Sequence, residues 1–152
     1  MLTVKNILET KAPVSNTIDA NATVFDALKK LSEVDLSYLV VQEGQNFKGI
    51  FSERDYSRNV ALKGRNSKET SVYEVMATNL PRVKWTDTLE HCIETLLQAK
   101  TRYLLAFDDA NAFAGVVTIH DLLRQVLATK DSGFNASAAQ QLIDHDEKGL
   151  VY

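Results

Sequence analysis

The sequence predicts an α/β (α+β) protein made of two copies of one β-α-β-β-α unit. The segments Gly49-Ile50-Phe51-Ser52-Glu53-Arg54-Asp55 and Gly115-Val116-Val117-Thr118-Ile119-His120-Asp121 share the pattern Gly-apolar-apolar-hydroxyl-x-basic-Asp, 66 positions apart. An apolar helix face repeats with them. Val24, Ala27, Leu28 and Leu31, spaced i, i+3, i+4, i+7, return 65 positions later as Leu89, Cys92, Ile93 and Leu96. Two β-prone runs repeat as well, Tyr38-Leu39-Val40-Val41 and Tyr103-Leu104-Leu105-Ala106.

Each half opens on a short apolar segment, Val4-Lys5-Asn6-Ile7 or Val72-Tyr73-Glu74-Val75, 68 positions apart. A brief strand follows, Thr17-Ile18 or Arg82-Val83, and then the amphipathic helix. Thr23 with Asp26, and Asp87 with Glu90, read as capping-box starts that lie one position out of register. After the β-prone run comes a turn, Gln42 to Asn46 or Phe107 to Ala112, the second one residue longer. The second strand, Lys48 to Ser52 or Ala114 to Thr118, leads into a helix over Arg54 to Lys63 or His120 to Thr129. Arg58 there matches Arg124, and Val60 matches Val126.

The boundaries are therefore residues 2–64 for the first repeat, 65–71 for a polar linker and 72–130 for the second repeat. Residues 131–152 form a polar C-terminal tail, expected to be mobile around a short helix at Ser137 to Ile143. A unit of roughly 60 residues buries only about 60% of its unfolded surface, which is marginal. The two copies are accordingly expected to pack sheet to sheet with pseudo-twofold symmetry.

Bulk properties narrow the function. Net charge is −3, so no basic field draws the chain to nucleic acid or anionic lipid. No run of 18 apolar residues and no apolar signal-peptide core is present, which makes the cytoplasm the expected compartment, away from membranes. The single cysteine, Cys92, excludes an internal disulfide and sits on an apolar helix face, as a small hydrophobe does. His91, His120 and His145 lack metal-site spacing. No P-loop and no Ser/His/Asp or Cys/His constellation appears, so no catalytic residue and no enzyme activity is expected.

The repeated unit ends in polar groups suited to a ribose and a phosphate. An ionised Asp accepts from two hydroxyls, so Asp55 or Asp121 could take both protons of a ribose diol. The hydroxyl of Ser52 or Thr118 stands where the strand ends, just before a helix whose free N–H groups favour an anion. Arg54 adds forked donors suited to phosphate, whereas His120 in its place would be a pH-dependent cation. Each Asp could equally be a dipole-complementing helix residue, and Ser52 and Thr118 plain N-caps. Arg54, Arg58, Lys63, Arg65 and Lys68 could be a solvated face or could meet a longer phosphate or dinucleotide tail.

With these residues on hand the chain resembles tandem CBS domains, the pair often called a Bateman module, across about residues 2 to 130. Gly49 to Arg58, followed at the expected distance by Leu62 to Thr70, is similar to stand-alone bacterial CBS-pair proteins rather than to CBS regions embedded in an enzyme or channel. The resemblance implies adenine-nucleotide binding (AMP, ADP, ATP or NADH) in clefts between the repeats, with no catalytic cofactor. It implies that Ile50 or Val116 offers apolar surface to the adenine ring and that Ser37-Tyr38 and Arg102-Tyr103 face the clefts. Arg102 becomes a phosphate partner for the ligand anchored by Asp55, and the Asp55 site ranks above the Asp121 site. The resemblance also implies a homodimer. The expected function is a nucleotide-binding regulatory sensor that changes conformation or association and acts on an unidentified partner protein. The alternative is a structural adaptor using the pair for protein contact alone.

Overall fold

The structure, a computed structural model, describes residues 2–11, 15–34, 37–129 and 132–147, the last segment with side chains from 136 to 146. The chain divides into two compact units, residues 13–79 and residues 1–12 together with 80–152. They are called here the Asp55 unit and the Asp121 unit. These units are not the sequence repeats, because the first helix, α1 (Val4–Thr10), belongs to the Asp121 unit.

The Asp55 unit runs β1 (Thr17–Asp19), α2 (Val24–Val34), β2 (Tyr38–Glu43), β3 (Asn46–Ser52), α3 (Glu53–Tyr56), a π-helical turn (Ser57–Ala61) and α4 (Val72–Val75). Its three strands lie in the order β1-β2-β3, the first pair parallel and the second antiparallel. Side chains alternate across a strand, so Leu39, Val41 and Phe51 point to one face. There they meet Val24, Ala27 and Leu31 of α2, Val60 of the π-turn, and Val72 and Val75 of α4. The opposite face carries Tyr38, Val40, Ile50 and Ser52, all buried as well.

The Asp121 unit repeats this plan with α1, β4 (Arg82–Lys84), α5 (Leu89–Ala99), β5 (Tyr103–Phe107), β6 (Phe113–Thr118), α6 (Ile119–Ala128) and α7 (Ser132–Glu147). Its sheet order is β4-β5-β6 with the same parallel and antiparallel pairs. Both sheets shift register at one place, between Val41 and Gln42 and between Ala106 and Phe107. The fold is thus the mixed α and β architecture of two repeats that the duplicated sequence predicts.

What holds α1 and α4 is a junction made twice. The N–H groups of Val4 and Lys5 donate to the carbonyls of Asp87 and Trp85, while Leu89 N–H donates to Leu2. In the other unit Val72 and Tyr73 donate to Ala22 and Ala20, while Val24 donates to Thr70. Each junction supplies acceptors to first-turn N–H groups that no helix can satisfy internally. The repeated glycine makes room beside it. A Cβ on Gly49 would stand 2.6 Å from the Ala77 carbonyl oxygen, and one on Gly115 would stand 3.0 Å from Leu8.

Three local expectations are corrected. The α5 cap is Thr88, which accepts from His91 N–H at 3.1 Å, while Asp87 turns back to accept from Lys84 N–H at 2.8 Å. Thr88 matches Thr23, so the two caps are in register after all. The helix expected over Arg54 to Lys63 is interrupted by the π-turn, where Leu62 N–H bonds to the Ser57 carbonyl and Arg65 N–H to that of Val60. The polar linker is pinned, since Ser67 and Thr70 carbonyls accept from Phe25 and Val24 at the start of α2.

Last, the tail expected to be mobile is a 16-residue helix over its described part, not a short one at 137–143. Ala138 and Leu142 join the Asp121-unit core, and His145 is buried one turn on. His145 Nε2–H donates to the Thr101 carbonyl at 2.7 Å, which anchors the helix end. Residues 130–131 and 148–152 lie outside the described residues.

Candidate nucleotide-binding site

Each Gly-to-Asp motif becomes a strand end, an N-cap and the first helical turn. In the Asp55 unit β3 ends at Ser52, whose extended backbone (φ −134°, ψ 170°) makes it the N-cap of α3. Asp55 is the third helical residue, the position whose side chain reaches back to the cap in a capping box. Its Oδ2 accepts from Ser52 N–H at 2.8 Å and from the Ser52 hydroxyl at 3.1 Å. Asp55 N–H in turn donates to Ser52 Oγ at 3.5 Å, a long bond.

Asp55 is 5% exposed and Ser52 2%. Burial pushes the Asp55 carboxyl from its ordinary 3.8 up to about 6, against the Ser52 hydrogen bonds and the positive charge of Arg58 that pull it down. The carboxylate therefore changes charge near neutral pH. Among the described residues its hydrogen bonds all fall on Oδ2. Oδ1 takes none of those bonds.

The Asp121 box has the same backbone and a different electrostatic state. Asp121 Oδ2 accepts from Thr118 N–H at 2.9 Å, and Thr118 Oγ1 accepts from Asp121 N–H at 3.1 Å. Two cations then close on the carboxylate. Arg124 donates to Oδ1 at 2.6 Å, and Lys11 Nζ donates to Oδ2 at 2.8 Å. Lys11 also donates to the Val116 carbonyl oxygen at 2.9 Å.

The other residues singled out in the sequence distribute between these two places. Strand pairing sets Tyr38 opposite Ser52 and Tyr103 opposite Thr118, so the start of β2 or β5 adjoins each box. Tyr38 is buried and Ser37 exposed. Ile50 and Val116 are buried, and the Ile50 backbone is committed to a two-bond bridge with Ala77. Arg54 and Arg58 flank Asp55 and are partly exposed, while His120 is exposed on the first turn of α6. Arg102 lies beside the Thr118 box, its carbonyl accepting from Ile119 N–H. Its guanidinium donates to the Asp146 carbonyl oxygen at 2.6 Å and lies 3.1 Å from Asp146 Oδ1, off the hydrogen-bond axis.

Lys11 is the participant that sequence reasoning missed. It stands 110 positions from Asp121, and no local spacing connects the two. Cys92 is fully buried in the core, and its thiol is pushed up to about 12 by burial and then by Asp87 and Glu90. Among the described residues no cluster of His, Cys, Asp or Glu could hold a metal, and no helix is long and apolar enough to cross a membrane.

Comparison with known proteins matches the CBS domain family over residues 4–61 and again over 72–128, the two sequence repeats. The chain belongs to the CBS-domain family. A curated relative, the CBS domain-containing protein CBSX3, mitochondrial, of Arabidopsis thaliana, is 30% identical over 110 residues, covering 69% of this chain. The chain spans 53% of that relative's length. Among solved structures, a protein with CBS domains from Burkholderia ambifaria MC40-6 superposes with a TM-score of 0.75 at 31% identity, covering 85% of this chain and 96% of the other. CBSX2, solved in complex with AMP, has a TM-score of 0.64 at 21% identity, covering 84% of this chain and 97% of its own, a likeness of fold.

Proposed function

We propose that this CBS pair is a non-enzymatic adenine-nucleotide sensor whose working anchor is Asp55. The observation that carries the proposal is the Ser52–Asp55 box: a buried carboxylate held on one oxygen, with no cation among its hydrogen-bond donors in the described residues. A ribose diol is a pair of donors, and an acceptor-only carboxylate of fixed orientation is its natural complement. The strand-end residues Tyr38 and Ile50, with exposed Ser37, border this place. Arg54 and Arg58 lie on the same turn for a phosphate. Arg102, in the other unit, is held by Asp146. Val116, Thr118, His120 and Asp121 are the corresponding residues of the second motif. CBSX2, a protein of the same fold, has been solved with AMP, which supports adenine nucleotides as the ligand class.

Such a ligand acts as a signal only by binding one arrangement of the module better than another. Each unit also ends its motif helix region on an exposed leucine, Leu62 at 81% and Leu127 at 64%. These support association as a homodimer, with contact to a regulated protein as the output. Titration calorimetry of the purified chain with AMP, ATP and NADH tests the sensor. Micromolar binding of at least one is expected. No heat with any of the three, and no nucleotide carried through purification, would sink it. Turnover of ATP or NADH by the pure protein would instead make it an enzyme.

A further inference from the structure

Lys11 follows α1 and lies in the Asp121 unit, where its ammonium spans two acceptors of the second motif. It donates to the Val116 carbonyl oxygen and to Asp121 Oδ2, and Arg124 takes Asp121 Oδ1. Asp121 is 2% exposed and the Lys11 side chain 25%, so water screens the pair little. A nucleoside brings neutral donors, an exocyclic amine and hydroxyls, to acceptors of this kind. Both donors make charge-assisted bonds to the carboxylate, but only the ammonium adds the attraction of a full opposite charge, in a place that water screens little. A neutral hydroxyl therefore does not repay the loss of Lys11, and leaving Asp121 and Val116 short of a donor while buried adds to the cost.

The repeat supplies its own comparison. Position 79, aligned with 11 by the 68-residue offset of the leading segments, is Asn79, exposed and uncharged. The two motifs share backbone, cap and carboxylate and differ in the cations on it: Arg124 from the motif's own helix, and Lys11, which alone arrives from outside the motif and also holds the Val116 carbonyl.

We propose that Lys11 closes the Asp121 half-site, so that the chain keeps one working nucleotide site, at Asp55. This rests on the adenine-nucleotide reading above. Lys11 is a specificity-determining residue: it sets how many nucleotides one chain takes.

Titration calorimetry with AMP on the full chain tests this in wild type and Lys11→Met, which retains the aliphatic stem. One AMP per wild-type chain and two per Lys11→Met chain are expected. Two per wild-type chain, or no more per folded Lys11→Met chain than per wild-type chain, overturns the inference. Should Lys11→Met fail to fold, the Lys11 Nζ resonance of the wild type decides. Unmoved at AMP saturation it supports closure, and displaced as AMP binds it overturns it. No uptake by either protein overturns this inference and the functional reading together. Uptake by Lys11→Met alone keeps Lys11 as the closing residue and removes only the assignment of the working site to Asp55.

Discussion

Asp55 carries a thermodynamic cost that follows from its chemistry. Its folded pKa of about 6 lies above the ordinary 3.8. Below 3.8 both folded and unfolded chains hold the proton; between the two values only the folded chain does. The contribution of Asp55 to stability is thus full in acid, declines as pH rises through that window, and is lost above about 6. Two pH units at ~1.4 kcal/mol each put the loss at about 3 kcal/mol. Asp55→Asn keeps an oxygen for Ser52 and has no proton to lose. Denaturant unfolding is expected to find it more stable than wild type at pH 7.5, with the advantage vanishing towards pH 4; a pH-independent difference refutes the argument. Binding runs the other way. Titrated with adenosine, so that no phosphate ionises in the same range, the wild type should bind about tenfold more weakly at pH 5 than at pH 7. Asp55→Ala should weaken AMP binding more than Asp121→Ala, and equal losses would overturn that ranking. The sequence argues for it from Arg54 against His120. The Lys11–Asp121 contact, a further argument for it, was not legible, because a contact 110 residues long leaves no mark in local spacing.

At the scale of elements, the two motif helices and the two core helices were legible because each repeats a 3.6-residue apolar pattern against a two-residue strand pattern. α7 was not. Its buried residues among those described are Ala138, Leu142 and His145, one small, one large and one titratable, set among mostly polar neighbours. So narrow a stripe resembles a solvated helix until its partner surface is known. Leu142 is fully buried, and Leu142→Ala is expected to cost about 2–5 kcal/mol in chemical unfolding. A helix that merely rested on the surface would lose under about 0.5 kcal/mol. The π-turn was equally hidden. Its residues, Ser57 to Ala61, keep Val60 buried just as the regular α6 keeps Val126 buried, so the apolar signal is the same in both halves.

At the scale of the molecule, the repeats of the sequence and the units of the fold are different divisions of one chain. The helix that opens each repeat completes the core of the other repeat's unit: α4 in residues 13–79, α1 in the unit that resumes at residue 80. Periodicity reveals the duplication and says nothing of this exchange, because Val4, Ile7, Val72 and Val75 fit either core by size and spacing. A fragment of residues 13–79 should therefore give a dispersed NMR spectrum more readily than one of residues 2–64, which lacks Val72 and Val75 and strands α1. The reverse order would refute the exchange. During synthesis the exchange separates the two units in time. Residues 13–79 leave the ribosome as an unbroken stretch, ready to collapse. Val4 and Ile7 emerge first and must wait for β6, roughly a hundred residues later, about 5–20 s at ordinary elongation rates. α1 is thus made before the Asp55 unit and covered after it, and in that interval its apolar face is what a nascent-chain chaperone would meet.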